Sequence, residues 1–185
     1  MALTIGDPAG IGPELAAKLL SDPKNLEKAD IFVMANEDEV KAAAADAGGV
    51  TFPITEVAGP DGVRIMDESH IPVPTITRAQ VSEEAGARSM HQLRRAVDMK
   101  LKGEIDVIVF APLNKSAMKL AGMKEEDELR WFANLLGYEG TTSEINIIEG
   151  LWTGRVTSHV GVEQVASLIT KESVKNAILL THWLL

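Results

Sequence analysis

The stretch Ala2-Leu3-Thr4-Ile5-Gly6-Asp7-Pro8-Ala9-Gly10-Ile11-Gly12-Pro13-Glu14 decides the fold. Ala2 to Ile5 is a short apolar run of the kind that forms a buried strand, and it stops at Gly6. Pro13 suits the first turn of a helix, where its missing N–H would have no intrahelical partner, so Pro13 to Leu20 reads as a helix. A glycine-rich turn between strand and helix frees backbone amides at the helix N-terminus, where the dipole and unpaired N–H groups favour an anion. It is not the dinucleotide fingerprint G-x-G-x-x-G, and it lacks the lysine of a P-loop. The plain alternative is a tight turn that needs Gly and Pro for backbone reasons alone.

The same grammar repeats outward. Ile31 to Ala35 is a second buried strand, and Glu37 to Ala47 a helix closed by Gly48-Gly49. Thr51 to Val57 is expected as a third strand, and Ala58 to Val81, with several Gly and Pro residues, as loops and edge strands. Ser82 to Lys102 is the strongest helix, with Ser82 as its cap, Glu83 and Glu84 in the first turn and Gly103 after its end. Asp106 to Ala111 is the clearest buried strand; it ends in Pro112-Leu113-Asn114-Lys115, a turn into another helix. Glu144 to Ile148 and Gly154 to Ser158 then flank a turn as an antiparallel hairpin arm. Val162 to Ile169 and Lys171 to Leu185 follow as helices, with Thr170 a cap for the second. Strands alternating with helices predict an α/β fold with a mostly parallel sheet and flanking helices.

Composition narrows the chemistry. The 185 residues carry 18 Lys+Arg against 27 Asp+Glu, a net charge of −9 that argues against a nucleic-acid partner held through phosphates. No apolar run reaches the roughly 18–20 residues of a membrane helix. The N-terminus has no basic and apolar leader pattern, so a soluble cytoplasmic protein is expected. With zero cysteines, disulfides, thiolate zinc sites and a Cys nucleophile are excluded. Chemistry is left to carboxylates, histidines, hydroxyls, lysines and backbone amides.

Three motifs carry a resemblance. Gly6-Asp7-Pro8-Ala9-Gly10-Ile11-Gly12-Pro13-Glu14 resembles the N-terminal signature of the 4-hydroxythreonine-4-phosphate dehydrogenase family. Ala111-Pro112-Leu113-Asn114-Lys115 resembles its second motif, and Val156-Thr157-Ser158-His159-Val160 its third. The resemblance covers essentially the whole chain but only the first half or so of a family member. It implies a two-domain fold like that of isocitrate and isopropylmalate dehydrogenases. An α/β lobe would occupy roughly residues 1–140, and residues 141–185 would begin a second lobe with a dimer arm. It further implies metal-dependent, NAD- or NADP-linked oxidation of a phosphorylated or cyclic hydroxy acid, often followed by decarboxylation. The site would be shared by the subunits of a homodimer. His159 matches one of the family's three metal-binding histidines; the metal, zinc or else magnesium, manganese or cobalt, would acidify the substrate hydroxyl. The other two ligands would lie beyond Leu185, so the 185-residue chain by itself is expected to be inactive or nearly so. His70, His91 and His182 match no ligand motif and read as surface or packing residues.

One departure bears on the substrate. Family members acting on 4-hydroxythreonine phosphate carry a G-H-T-E segment after the second motif, whose His and Thr contact the substrate. Here Asp127-Glu128-Leu129-Arg130 takes that place, with Glu128 at the His position and Leu129 at the Thr position. A carboxylate facing a phosphate is repulsive without an intervening cation. The resemblance thus points to a related sugar acid phosphate or a cyclic diol acid. In the plain alternative, Glu125 to Glu128 form the acidic first turn of a helix running through Trp131-Phe132-Ala133, with the two rings in the core. Asn114 and Lys115, at the end of the strongest strand, are candidates for holding an anionic substrate and its hydroxyl, or else cap a solvated loop. Asp7 is expected to order the glycine loop through its amides. A non-catalytic anion- or metabolite-binding module, or an interaction subunit docking through its apolar C-terminal helix, is the alternative function. That helix ends in Ile178, Leu179, Trp183, Leu184 and Leu185 with no polar taper. It is expected to be covered by further chain or another subunit.

Overall fold

Residues 1–71, 75–158 and 160–184 are described by a computed structural model. The N-terminal apolar run forms β1 (Ala2–Thr4), and its alternating side chains supply both layers of the core. Leu3 and Ile5 point to one face, where they pack with Ala16 and Leu20 of α1 (Gly12–Ser21). A four-residue helix, α2 (Pro23–Leu26), follows; the Asp22 carboxylate caps it by accepting from Lys24 N at 3.0 Å. Next come β2 (Phe32–Met34) and α3 (Glu37–Asp46), whose Val40 joins the same layer beside Val33. The α3 helix ends before Gly48-Gly49, as its sequence predicts.

The third strand is displaced from its expected place. Instead of Thr51 to Val57, a two-residue edge strand β3 (Arg64–Ile65) pairs with β2, and Ile54 makes only an isolated bridge to Val63. Pro53 explains this, because it has no N–H to give a ladder. After it, α4 (Glu83–Leu101) runs under the opposite face, where Ala96 and Met99 meet Ala2 and Met34. Ser82 caps α4 by accepting from Ala85 N at 3.1 Å. The chain then enters β4 (Ile108–Phe110) and α5 (Lys115–Leu120). As an edge strand of the sheet, β4 is only half-buried at Ile108 and Val109 and exposed at Phe110, not the fully buried strand its apolar run predicts. Among the described residues the sheet has four strands in the order β3-β2-β1-β4, all parallel, with Leu3 opposite both Val33 and Val109.

Two compact units divide the chain, Met1–Asp127 and Glu128–Leu185. The first holds the sheet and its two helical layers. The second opens with α6 (Glu128–Leu136), so Glu125 to Asp127 precede that helix and only Glu128 lies in its first turn. Trp131 is buried and meets Phe132 edge-on, with ring centroids 5.5 Å apart. The hairpin is present but tighter than expected: β5 (Asn146–Ile148) pairs antiparallel with β6 (Leu151–Thr153) rather than with Gly154 to Ser158. Gly150, at φ +76°, allows the chain to reverse within Glu149-Gly150. Then α7 (Val162–Leu168) and α8 (Lys171–Leu184) follow, and Thr170 Oγ1 accepts from Ser173 N at 3.1 Å. Among the described residues, α7 and α8 bury no side chain fully: Val162 is 90% exposed and Trp183 88%.

Candidate functional site

Strand order locates the site. From β1 the chain moves outward through α1, β2, α3 and β3, and then α4 carries it back to β4 on the other side of β1. The reversal makes the carboxyl ends of β1 and β4 the topological switch point, where open α/β sheets leave a crevice for ligands. Both of the first two motifs lie there.

The two loops are bonded to each other. Asp7 N donates to Pro112 O at 2.9 Å, and Ala111 N to Thr4 O at 3.1 Å. Gly6 has φ +73°, and a Cβ there would lie 2.5 Å from Pro112 O and 2.7 Å from Ala111 O. Only glycine lets the loops approach so closely. Gly12 opens α1, where a Cβ would overlap Ile5 O, whereas Gly10 has ordinary room. Asp7 is buried; its Oδ1 accepts from Ala9 N at 2.9 Å, and its backbone carbonyl accepts from Gly10 N at 3.0 Å. Asn114 caps α5 by accepting from Ala117 N at 3.1 Å, and Lys115 is exposed at the start of that helix.

Glu128 and Leu129 are half-buried at the start of α6, in the second unit. His159 lies outside the described residues. Among the described residues no cluster of three or more His, Asp or Glu side chains is arranged to hold a metal ion. His70 and His182 are exposed, whereas His91 Nε2 lies 2.6 Å from Glu68 Oε2.

A polar network that no sequence motif announces lies beside the switch point. Arg88 of α4 grips the Glu39 carboxylate of α3 with two nitrogens, Nε at 2.8 Å from Oε1. Glu39 Oε2 also accepts from Asn36 N at 2.7 Å, and Asn36 Oδ1 accepts from Glu68 N at 2.9 Å. Glu68 in turn meets His91 and, at 3.2 Å, Arg95. Burial alone would raise the Glu68 pKa, but the His91 hydrogen bond and the Arg95 charge outweigh it and hold the carboxyl below its ordinary value. A cleft of about 700 Å³ opens over the start of α3, lined by Asn36, Glu37, Asp38, Glu39, Asp67 and Ser69. Its acids are already engaged: Glu37 and Asp38 with Lys41 at 3.2 and 3.8 Å, Glu39 with Arg88, and Asp67 with Glu37 N and Ser69 Oγ.

The first two motifs thus meet at the switch point, and sequence reading identifies them. It misses the α4 residues behind them. Gly86 lies inside an otherwise good helix, where glycine costs about 1 kcal/mol relative to alanine, and this was the available signal. The partners of Arg88 and Gln92 are 49 and 87 residues away and leave no local trace.

A parallel sheet with helices on both faces and paired loops at its switch point defines a doubly wound α/β protein, a class in which ligands bind at that point. Solved structures narrow this. The chain superimposes on a 4-hydroxythreonine-4-phosphate dehydrogenase from Burkholderia phymatum with a TM-score of 0.81 at 27% identity, over 96% of this chain and 55% of that one. The corresponding enzyme from Klebsiella pneumoniae gives 0.80 at 25% identity, over 98% and 56%. A Pseudomonas aeruginosa protein provisionally named 4-hydroxythreonine-4-phosphate dehydrogenase 2 is 38% identical over 96% of this chain and 55% of its own length. A Symbiobacterium thermophilum protein provisionally named D-threonate 4-phosphate dehydrogenase is 29% identical over 96% and 55%. Residues 27–185 match the family model described as pyridoxal phosphate biosynthetic protein PdxA, and the chain belongs to that family. The chain spans about half the length of the curated relatives it matches.

Proposed function

We propose that this chain supplies one wall of the active site of a cytoplasmic NAD- or NADP-linked dehydrogenase that oxidises a small phosphorylated hydroxy acid. The convergence of the Gly6–Gly12 and Ala111–Lys115 loops at the switch point, tied by the Asp7–Pro112 hydrogen bond, carries this reading. Relatives whose names include 4-hydroxythreonine-4-phosphate and D-threonate 4-phosphate dehydrogenases support it. In this reading Lys115 offers a cation to the substrate's phosphate or carboxylate, and the Asn114 cap holds the backbone from which it projects. Asp7 keeps the glycine loop in shape by occupying its amide at Ala9. The favoured substrate in this reading is a sugar acid phosphate such as D-threonate 4-phosphate, supported by the names of relatives and by the departure at Glu128 and Leu129 from the His-Thr pair that the resemblance implies.

A divalent metal held through His159 would polarise the substrate hydroxyl. A homodimer formed through the exposed β5–β6 hairpin belongs to the same reading: Ile148 is 65% exposed on it, with Ile147, Leu151 and Trp152 beside it.

Titrating the 15N-labelled chain with D-threonate 4-phosphate tests this. Amide shifts are expected at Gly10, Gly12, Asn114 and Lys115 together. A titration that leaves both loops unmoved overturns the reading. Glu128→His combined with Leu129→Thr should move the preference toward 4-hydroxythreonine 4-phosphate; an unchanged preference would mean these two positions do not select the substrate.

A further inference from the structure

We infer that one stripe of α4, formed by Gly86, Ser89 and Gln92, sets the spacing between the two loops of the crevice and thereby governs its affinity. The affinity part rests on the function proposed above; the spacing part does not. Residues at i, i+3 and i+6 lie on one side of a helix, and this side faces β1 and α5.

Each residue of the stripe fixes a different part of the wall. Gln92 is 1% exposed, and its Oε1 accepts from Ile5 N at 3.3 Å. Ile5 is one residue past the last paired position of β1, so its N–H has left the β2 ladder. A buried backbone donor must find another acceptor there, and Gln92 reaches in from the helix to supply it. The arrangement is costly, because Gln92 Nε2 is buried without a partner. An apolar side chain would pack there without that cost but would leave Ile5 N unpaired. Ser89 Oγ donates to Ala85 O at 2.9 Å and lies 3.3 Å from Gly6 O, so it sits against the carbonyl of the turn itself. Gly86 does for the second loop what the other two do for the first. A Cβ on Gly86 would lie 2.8 Å from Met118 N and would overlap the Ala117 carbonyl. The α5 backbone therefore rests directly on α4, and α5 begins with Asn114 as its cap and Lys115 as its first residue.

Both loops are thus referenced to the same turns of one helix. Shifting either contact must tilt α4 against β1 or α5, and so alter the gap between Gly10–Gly12 and Asn114–Lys115. These are positioning residues: all three are buried in the packing behind the loops.

Amide hydrogen exchange and 15N spectra of the 185-residue chain test this, with Gln92→Met, Ser89→Ala, Gly86→Ala and the hydroxyl-preserving Ser89→Thr. The expected result is that Gln92→Met perturbs Asn114 and Lys115 as well as Ile5 and Gly6, and that Gly86→Ala perturbs Gly6 to Gly12 as well as Ala117. Perturbations confined to each residue's own contact would overturn the inference, since that is what local packing alone produces. Should Gly86→Ala fail to fold, Gln92→Met and Ser89→Ala decide the matter. Affinity for D-threonate 4-phosphate should fall about tenfold or more in Gln92→Met, as expected for a misplaced site wall, while Ser89→Thr stays near the parent. If the parent chain does not bind this probe, the proposed function fails, and the exchange pattern still decides whether the stripe couples the loops.

Discussion

Glu68 shows how much a single side chain owes to its neighbours. It lies 23 residues before His91 and 27 before Arg95 in sequence, yet it meets both, while its own N–H is held by Asn36. Its folded pKa is lowered, so its ionised form stabilises the native state. That contribution is fully present above the unfolded value of about 4.3 and is lost as pH falls through the lower folded value. Urea unfolding of the parent and of Glu68→Gln at several pH values checks this. The parent should be the more stable by about 1–3 kcal/mol at pH 5.5, with the gap narrowing below about pH 4. A gap that does not change with pH would mean the charge on Glu68 contributes nothing. Gly6 makes the opposite case: its requirement follows from backbone geometry, and the sequence already marks it as the end of a strand.

At the level of elements, the ends of helices decide more than their middles. The six residues of α5 are too few to persist on propensity alone, so the helix depends on its cap and on packing against α4. Replacing Asn114 by Ala should cost about 0.5–2 kcal/mol of stability. Asn114→Asp keeps an acceptor for Ala117 N and should restore most of it, as read by thermal unfolding. If Asn114→Asp recovers stability but not binding of D-threonate 4-phosphate, the Asn114 amide has a role at the ligand beyond capping. The hairpin teaches a related lesson. Apolar residues on both sides of a turn identify the arm, but Gly150 sets where the chain reverses, and with it which residues pair.

Over the whole molecule, apolar burial is unevenly shared. In Met1–Asp127 the two central strands are covered on both faces, and residues such as Leu3, Leu20, Val33 and Leu93 are buried. In Glu128–Leu185, Trp131 alone is buried among the described residues, while Ile148, Val162, Ile178 and Trp183 stand in solvent. Burying one aliphatic side chain is worth roughly 1.5–3 kcal/mol, so the second unit lacks the internal core that would make it rigid. Two outcomes are expected. Amides of α4 and β1 should exchange far more slowly than those of α7 and α8, and sedimentation should show concentration-dependent association. Uniformly slow exchange and a monomer at all concentrations would refute both.

Most strand and helix identities, the helix cap at Ser82 and the glycine turn after β1 were legible in sequence, whereas Asn114 read only as part of a loop and its cap on α5 emerged from the structure. They arise from local effects: side-chain period, orphaned helix-end amides and the sterics of φ. Both crevice motifs could be located for the same reason, each being a loop at the end of an apolar strand. Tertiary structure alone decided that β1 and β4 are neighbours, that Arg64–Ile65 rather than Thr51–Val57 forms the edge strand, and that Gln92 caps the β1 ladder 87 residues away. Those outcomes depend on which backbone donors find acceptors once the layers close, and a linear pattern does not carry that information.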